Sequence, residues 1–207
     1  MRILVTGGTG FLGKHLIPKL ADHEVWSPNR REFNVEAAEC VWDAIGFDPD
    51  VILHMAAICG GILANKNSPA DFLHKNVDMA SNIFHCAQVV QFKRKLQNRE
   101  GPKVYTLGSV CAYPKFCPVP FREDDIWNGY PEETNAPYGM SKRLQLLLGQ
   151  TYREQYGIGG AHLIPVNLYG EHDHFDLTNS HVIPALIRKF EEANHQPGFP
   201  VVKLWGT

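Results

Sequence analysis

The feature that most restricts the fold lies at the amino terminus. Arg2 to Thr6 is a short apolar run, and Gly7-Gly8-Thr9-Gly10-Phe11-Leu12-Gly13 follows it at once. Beyond the glycines, Leu12, Leu16, Ile17 and Leu20 recur at helical spacing. The order is therefore strand, glycine turn, helix. The turn contains both Gly8-x-Gly10-x-x-Gly13 and Gly7-x-x-Gly10-x-x-Gly13. Residues without side chains let the chain reverse tightly and let backbone N–H groups approach a pyrophosphate, while the following helix start adds partial positive charge. Alone, such a motif is weak. Placed between a strand and a helix, it predicts a dinucleotide site.

The rest of the chain repeats the alternation. Val25-Trp26, Val51 to Leu53, Val104 to Leu107, Ala161 to Pro165 and Val201 to Trp205 read as further strands. Helical periodicity runs over Ala70 to Val90, Tyr138 to Tyr156 and Val182 to Ala193, with Pro137 suited to a first turn. Lys93 to Glu100 reads as a solvated helix end and loop that stops at Gly101-Pro102. Strands alternating with helices predict an α/β fold: a Rossmann-type, doubly wound parallel sheet covered on both faces, with ligands at the carboxyl ends of the strands.

The end of the second strand commonly separates NAD from NADP, because an acid there holds the ribose hydroxyls of NAD. Here Ser27-Pro28-Asn29-Arg30-Arg31 follows Trp26, and the first carboxylate is Glu32. A guanidinium at Arg30 suits a phosphate and predicts NADP(H).

Tyr138 and Lys142 stand four residues apart, on one helix face. A phenol beside an ammonium should have its pKa lowered toward working pH, which suits proton exchange with a carbonyl or alcohol. Ser109, just past the fourth strand, belongs at the same edge. Cys111 shares its loop, and His181 lies near a helix start. By residue type alone, Cys111 would be a packed thiol and His181 a helix-terminal histidine.

Longer stretches carry a resemblance. Ala56-Ala57-Ile58-Cys59-Gly60-Gly61-Ile62, Pro69-Ala70-Asp71-Phe72, Leu107 to Lys115 (LGSVCAYPK), Asn135-Ala136-Pro137-Tyr138, Asn167-Leu168-Tyr169-Gly170 and Asn179 to Leu186 (NSHVIPAL) occur in order. In these the chain resembles the GDP-L-fucose synthases, within the extended short-chain dehydrogenase/reductases. The resemblance implies that Ser109, Tyr138 and Lys142 serve a reduction, and that Cys111 and His181 serve epimerisations. The implied reaction converts GDP-4-keto-6-deoxy-D-mannose to GDP-L-fucose. It also implies NADP(H) against Gly7, Gly10, Phe11, Leu12, Gly13, Arg30, Lys142, Pro165, Asn167, Leu168 and His181. Substrate contacts would come from Lys189 and Trp205, and the assembly would be a homodimer through the two long helices.

The departures from that family are Val110 for a second serine, Thr9 for a frequent arginine, Lys189 for an arginine, and a longer segment from Gln91 to Gly101. The family runs about a hundred residues further. The expected division is therefore a cofactor domain over residues 1–166 and an incomplete, truncated substrate lobe over 167–207. Two alternatives stand beside this reading. One is a related enzyme on another 4-keto sugar, such as a colitose-type synthase or a plain epimerase or reductase. The other is a non-catalytic, cofactor-binding fragment.

Bulk properties narrow the partners. A net charge of −2 over 207 residues gives no field that would gather nucleic acid or an anionic membrane. No apolar run reaches the roughly 18 residues that span a bilayer. The first residues are too short an apolar stretch for a signal peptide. Cys40, Cys59, Cys86, Cys111 and Cys117 are odd in number and scattered, which fits free thiols in the cytoplasm, most of them small buried hydrophobes. The cluster Glu171-His172-Asp173-His174-Phe175-Asp176 has no second cluster at ligand spacing, so no metal is expected.

Overall fold

A computed structural model of the chain describes residues 1–177, 180–198, 201, 202 and 204. Five strands form one parallel sheet: β1 (Arg2–Thr6), β2 (Glu24–Trp26), β3 (Val51–His54), β4 (Lys103–Leu107) and β5 (Gly160–Leu163). Their spatial order is β2-β1-β3-β4-β5. The chain leaves β1 in one direction to make β2, then returns to place β3 on the other side. That reversal opens a crevice at the carboxyl ends of β1 and β3, where ligands bind in open α/β sheets.

The helices in chain order are α1 (Phe11–Leu16), α2 (Cys40–Phe47), α3 (Ile62–Asn67), α4 (Pro69–Lys95), α5 (Ala136–Tyr156) and α6 (Val182–Asn194). Leu4, Ile52 and Val104 lie side by side in register on one face of the sheet. They form the main core with Val41 and Ala44 of α2 and with Met79, Ile83, Phe84 and Ala87 of α4. Buried positions of α4 fall at helical spacing through Phe72, Asn76, Met79, Ile83 and Val90, which is why so long a helix holds without a polar side-chain cap. Helix α5 packs along α4 and reaches β4 and β5.

The structure departs from the sequence reading at three places. That reading gave no helix at Cys40–Phe47. Both faces of the sheet are covered, as expected: Ile3 and Val5 are buried on the second face, and Leu163 of the edge strand β5 is 51% exposed. On α6, Ile187 and Phe190 are about half exposed.

The segment after Phe92 is a largely exposed helix end and loop, as expected, except at Arg94. Arg94 is buried, with Nε 2.8 Å from Asp48 Oδ1 and Nη2 2.9 Å from Asp50 Oδ1, and Arg99 Nη1 lies 2.7 Å from Asp48 Oδ2. These ion pairs tie the end of α4 to the entry of β3.

The expected last strand is the third departure. Val201 and Val202 are not in a strand, and Trp205 lies outside the described residues. Among the described residues no helix is long and apolar enough to cross a membrane.

Candidate active site

Three loops meet at the crevice: the glycine turn after β1, residues 55–61 after β3, and residues 108–112 after β4. In the first, Gly7 has φ 75°, the left-handed region, and a methyl group there would come within 2.7 Å of the Ala56 backbone nitrogen. Only glycine meets both demands. Gly10 N–H donates to Gly7 O at 3.1 Å, and Gly10 enters α1 in an extended conformation ahead of Phe11 and Leu12. Gly13 lies against the Gly8 backbone, which brings α1 down onto the turn.

The loop after β3 is pinned by side chains that the sequence reading did not single out. Asn76 of α4 accepts from Ile58 N–H at 2.8 Å and donates to Ile58 O at 2.9 Å. Asn65 donates to Gly60 O and Gly61 O. Between these anchors lies Cys59. It is an exposed residue, not the buried hydrophobe expected, and its thiol is close enough to Tyr138 and Lys142 to act on the ionisation of both.

After β4, Ser109 is extended and starts a short 3-10 turn, Val110–Ala112. Its Oγ accepts from Cys111 N–H at 3.2 Å. The turn presents Cys111, partly buried, on the same side as the hydroxyl. Helix α5 crosses above. Lys142 Nζ donates to Leu107 O at 2.9 Å and lies 5.6 Å from the centre of the Tyr138 ring. Phe72 meets the Tyr138 ring edge-on at 6.2 Å. Ser109, Tyr138 and Lys142 thus share one crevice, as the sheet topology predicted, and Cys111 lies there with them.

The electrostatics differ from expectation. Burial raises the Tyr138 phenol above its ordinary value; thiolate charge at Cys59 or Cys111 would raise it further, and the hydrogen bond from Ser109 only partly offsets this. Lys142 does not pull the phenol down. Burial lowers the lysine itself to about 8, because its ammonium loses water and the hydrogen bonds to the Leu107 carbonyl and the Gln145 amide oxygen carry no compensating negative charge.

Beneath Lys142 runs a row of polar residues across four strands. Thr6, His54, Thr106 and His162 are in register on β1, β3, β4 and β5. Thr6 Oγ1 lies 2.8 Å from His54 Nδ1, and Thr106 Oγ1 lies 2.8 Å from His162 Nδ1. Burial and the Lys142 charge lower His54 to about 3 and His162 to about 4, so both imidazoles stay neutral. Single-residue patterning could not show this row, which exists only once the register is set.

The remaining sequence candidates lie further out. Arg30 is exposed beyond β2 and bonded to Glu36 Oε2 at 2.7 Å. Pro165, Asn167 and Leu168 follow β5 at the same edge of the sheet. His181 is the exposed N-cap residue of α6, and Lys189 lies half-buried further along that helix. Both belong to α6 or its start, outside the three loops that form the crevice. Near Glu171, His15 Nε2 bonds Glu171 O at 2.8 Å and its ring packs on that of His172, so this loop braces α1. No group of three metal-ligating side chains occurs among the described residues.

Comparison with known proteins gives the family. The chain is 38% identical over 210 aligned residues to the GDP-L-fucose synthase of Escherichia coli (strain K12), covering all of this chain and 62% of that one. It is 37% identical to the GDP-L-colitose synthase of Yersinia pseudotuberculosis, over all of this chain and 65% of that one. It therefore spans about five-eighths of the length of these relatives. Among solved structures, a GDP-L-fucose synthetase from Naegleria fowleri bound to NADP superposes with a TM-score of 0.82 at 28% identity, over 97% of this chain and 64% of that one. A GDP-D-glycero-L-gluco-heptose synthase from Campylobacter jejuni gives 0.81 at 27% identity, over 93% and 55%. The model of the NAD dependent epimerase/dehydratase family matches residues 3–207, and the chain belongs to that family.

Proposed function

We propose that this chain carries the cofactor-binding and proton-transfer part of a GDP-L-fucose synthase. It would epimerise GDP-4-keto-6-deoxy-D-mannose at C3 and C5 and reduce it at C4 with NADPH. The observation that carries the reading is the convergence of Ser109, Cys111, Tyr138 and Lys142 on one crevice, in a chain of this family. Residues 1–166 would form the NADP-binding domain, and 167–207 would begin the part that holds the sugar nucleotide.

The residues fit NADP(H). The turn after β1 presents backbone without side chains at Gly7, Gly8 and Gly10, and Arg30 stands beyond β2, paired with Glu36. A phosphate there would share the guanidinium with Glu36. When bound, NADPH supplies hydride.

The chain's own groups do the rest. Tyr138, held above its ordinary pKa, is protonated at neutral pH and can donate to the C4 oxygen as it gains charge. Ser109 steadies the same oxygen. Lys142, still largely protonated at neutral pH, holds the ribose and adds positive charge to the crevice. Before reduction, the C4 ketone acidifies the hydrogens on C3 and C5. Cys111 takes a proton from one face, and His181 returns one to the other.

The GDP-L-colitose synthase at 37% identity supports a second reading, the same chemistry on another GDP-4-keto sugar. Incubation with a panel of GDP- and dTDP-4-keto sugars, using the chain extended by a relative's C-terminal segment, tests both. GDP-L-fucose as the main product supports the first. Turnover of another sugar in preference supports the second, and no turnover of any refutes both. A homodimer through α4 and α5 fits the exposed Leu73, Leu144 and Leu147 on those helices, and sedimentation of the protein would check it.

A further inference from the structure

Arg143, next to Lys142 on α5, is an unusual residue to bury. Its relative exposure is 5%, no carboxylate among the described residues pairs with it, and its Nη2 is buried with no acceptor. Burial disfavours its charge. The hydrogen bond it makes is Nε to Ala112 O, at 2.6 Å, and its guanidinium lies 6.0 Å from the centre of the Trp127 ring. Ala112 is the residue after Cys111, at the end of the 3-10 turn that begins at Ser109.

A second contact presses the same turn onto the same helix. Gly139, one turn before Arg143, lies so close to the Cys111 carbonyl that any side chain there would collide with it. One face of α5 therefore holds Tyr138 and Lys142 toward the crevice while Gly139 and Arg143 grip the turn that presents Cys111.

We propose that Arg143 is a positioning residue for Cys111: its charge-assisted bond to Ala112 O fixes the thiol relative to Tyr138, so that proton transfer at carbon and proton transfer at oxygen act on one bound sugar. A charged donor makes a stronger and shorter bond to a carbonyl than a neutral one, which explains a guanidinium here where an apolar side chain would pack more cheaply. The importance of Cys111 rests on the function proposed above; the positioning of its thiol does not.

The test separates the two. Iodoacetamide is added to the chain as it stands, and alkylation of Cys111 and Cys59 is followed by peptide mass spectrometry for wild type, Arg143→Met and Arg143→Lys. Cys59 faces the same tyrosine from another loop and is the internal control. The expected result is at least a fivefold change in the Cys111 rate in Arg143→Met, with the Cys59 rate and NADPH affinity within twofold of wild type. Arg143→Lys, which keeps a charged donor, should return the Cys111 rate to within twofold. In the extended protein, Arg143→Met should slow solvent deuterium exchange into the sugar at least tenfold, with KM unchanged.

An unchanged Cys111 rate overturns the proposal. So does an equal change at both thiols, or failure of lysine to restore the rate, since these mark general loosening. If Arg143→Met does not fold, Arg143→Gln, which removes the charge and keeps a polar side chain, is read in its place: a Cys111 rate more than fivefold from wild type beside an unchanged Cys59 supports the proposal, and any other result overturns it. Altered alkylation with normal exchange would leave Arg143 as the clamp and remove the epimerisation role of Cys111.

Discussion

Replacing Arg94 by methionine should cost far more stability than its place in a charged stretch suggests. The side chain is 3% exposed and binds Asp48 Oδ1, Asp48 O and Asp50 Oδ1, all within 2.9 Å. Removing one partner of a buried ion pair typically costs about 3–5 kcal/mol, because the other charge is left without compensation. Arg99 still reaches Asp48 at 2.7 Å, though its side chain is 44% exposed, so the expected loss is near the lower end, about 3 kcal/mol. For a chain of this size that lowers Tm by about 6–12 °C at neutral pH.

The pH dependence has a definite sign. Burial works to raise Asp48 and Asp50, but hydrogen bonds from Arg94 and Arg99 to the first, and from the Arg2 backbone and Arg94 to the second, bring both below the usual carboxylate range. Their contribution is present above the unfolded value of about 3.9 and is lost as pH falls through the lower folded values. The gap between wild type and Arg94→Met should therefore close below about pH 4. Scanning calorimetry of both proteins at several pH values checks this. A gap under about 1 kcal/mol at neutral pH, or one that persists undiminished in acid, would refute the reasoning.

Three further outcomes are expected. Arg30→Ala should weaken NADPH binding about tenfold, about 1.4 kcal/mol, and leave NADH unchanged, measured by titration of both cofactors; equal loss for both would move the phosphate contact elsewhere. With Lys142 lowered to about 8 by burial, hydride transfer should be level near neutral pH and fall as pH rises through about 8, read from single-turnover NADPH oxidation. A level rate up to pH 10 would mean that the ammonium is not needed. Gly7→Ala should lose about 1–3 kcal/mol of stability from the forced left-handed backbone, together with cofactor binding, seen by denaturant unfolding and NADPH titration.

The legible parts of this chain were the local ones. The glycine turn, the Tyr138–Lys142 spacing and the helical runs of α4 and α5 are set by neighbours a few residues away, and the structure has them where the pattern put them. Arg94 was misread because its partners lie 46 and 44 residues earlier in sequence. Nothing in KRKLQNRE marks one of its cations as buried. Cys59 read as packing material for the same reason, since its neighbours Tyr138 and Lys142 come from a helix far along the chain. The phenol of Tyr138 was expected to titrate lower because a lysine stands four residues on. In the fold, loss of water outweighs that neighbour, and burial is not written in a four-residue spacing. Cys111 and His181 gained their proposed roles only from resemblance, and the structure brings Cys111 beside the tyrosine.

The central claim is that one crevice performs two separable chemistries. The most direct measurement is solvent deuterium incorporation at C3 of GDP-4-keto-6-deoxymannose, followed beside NADPH oxidation, in Cys111→Ala and Tyr138→Phe versions of the extended protein. Cys111→Ala should stop the incorporation. Tyr138→Phe should leave it running while NADPH oxidation falls by about 100-fold or more, the usual worth of a positioned general acid. Incorporation at the wild-type rate in Cys111→Ala, or loss of both signals together in Tyr138→Phe, would contradict the account.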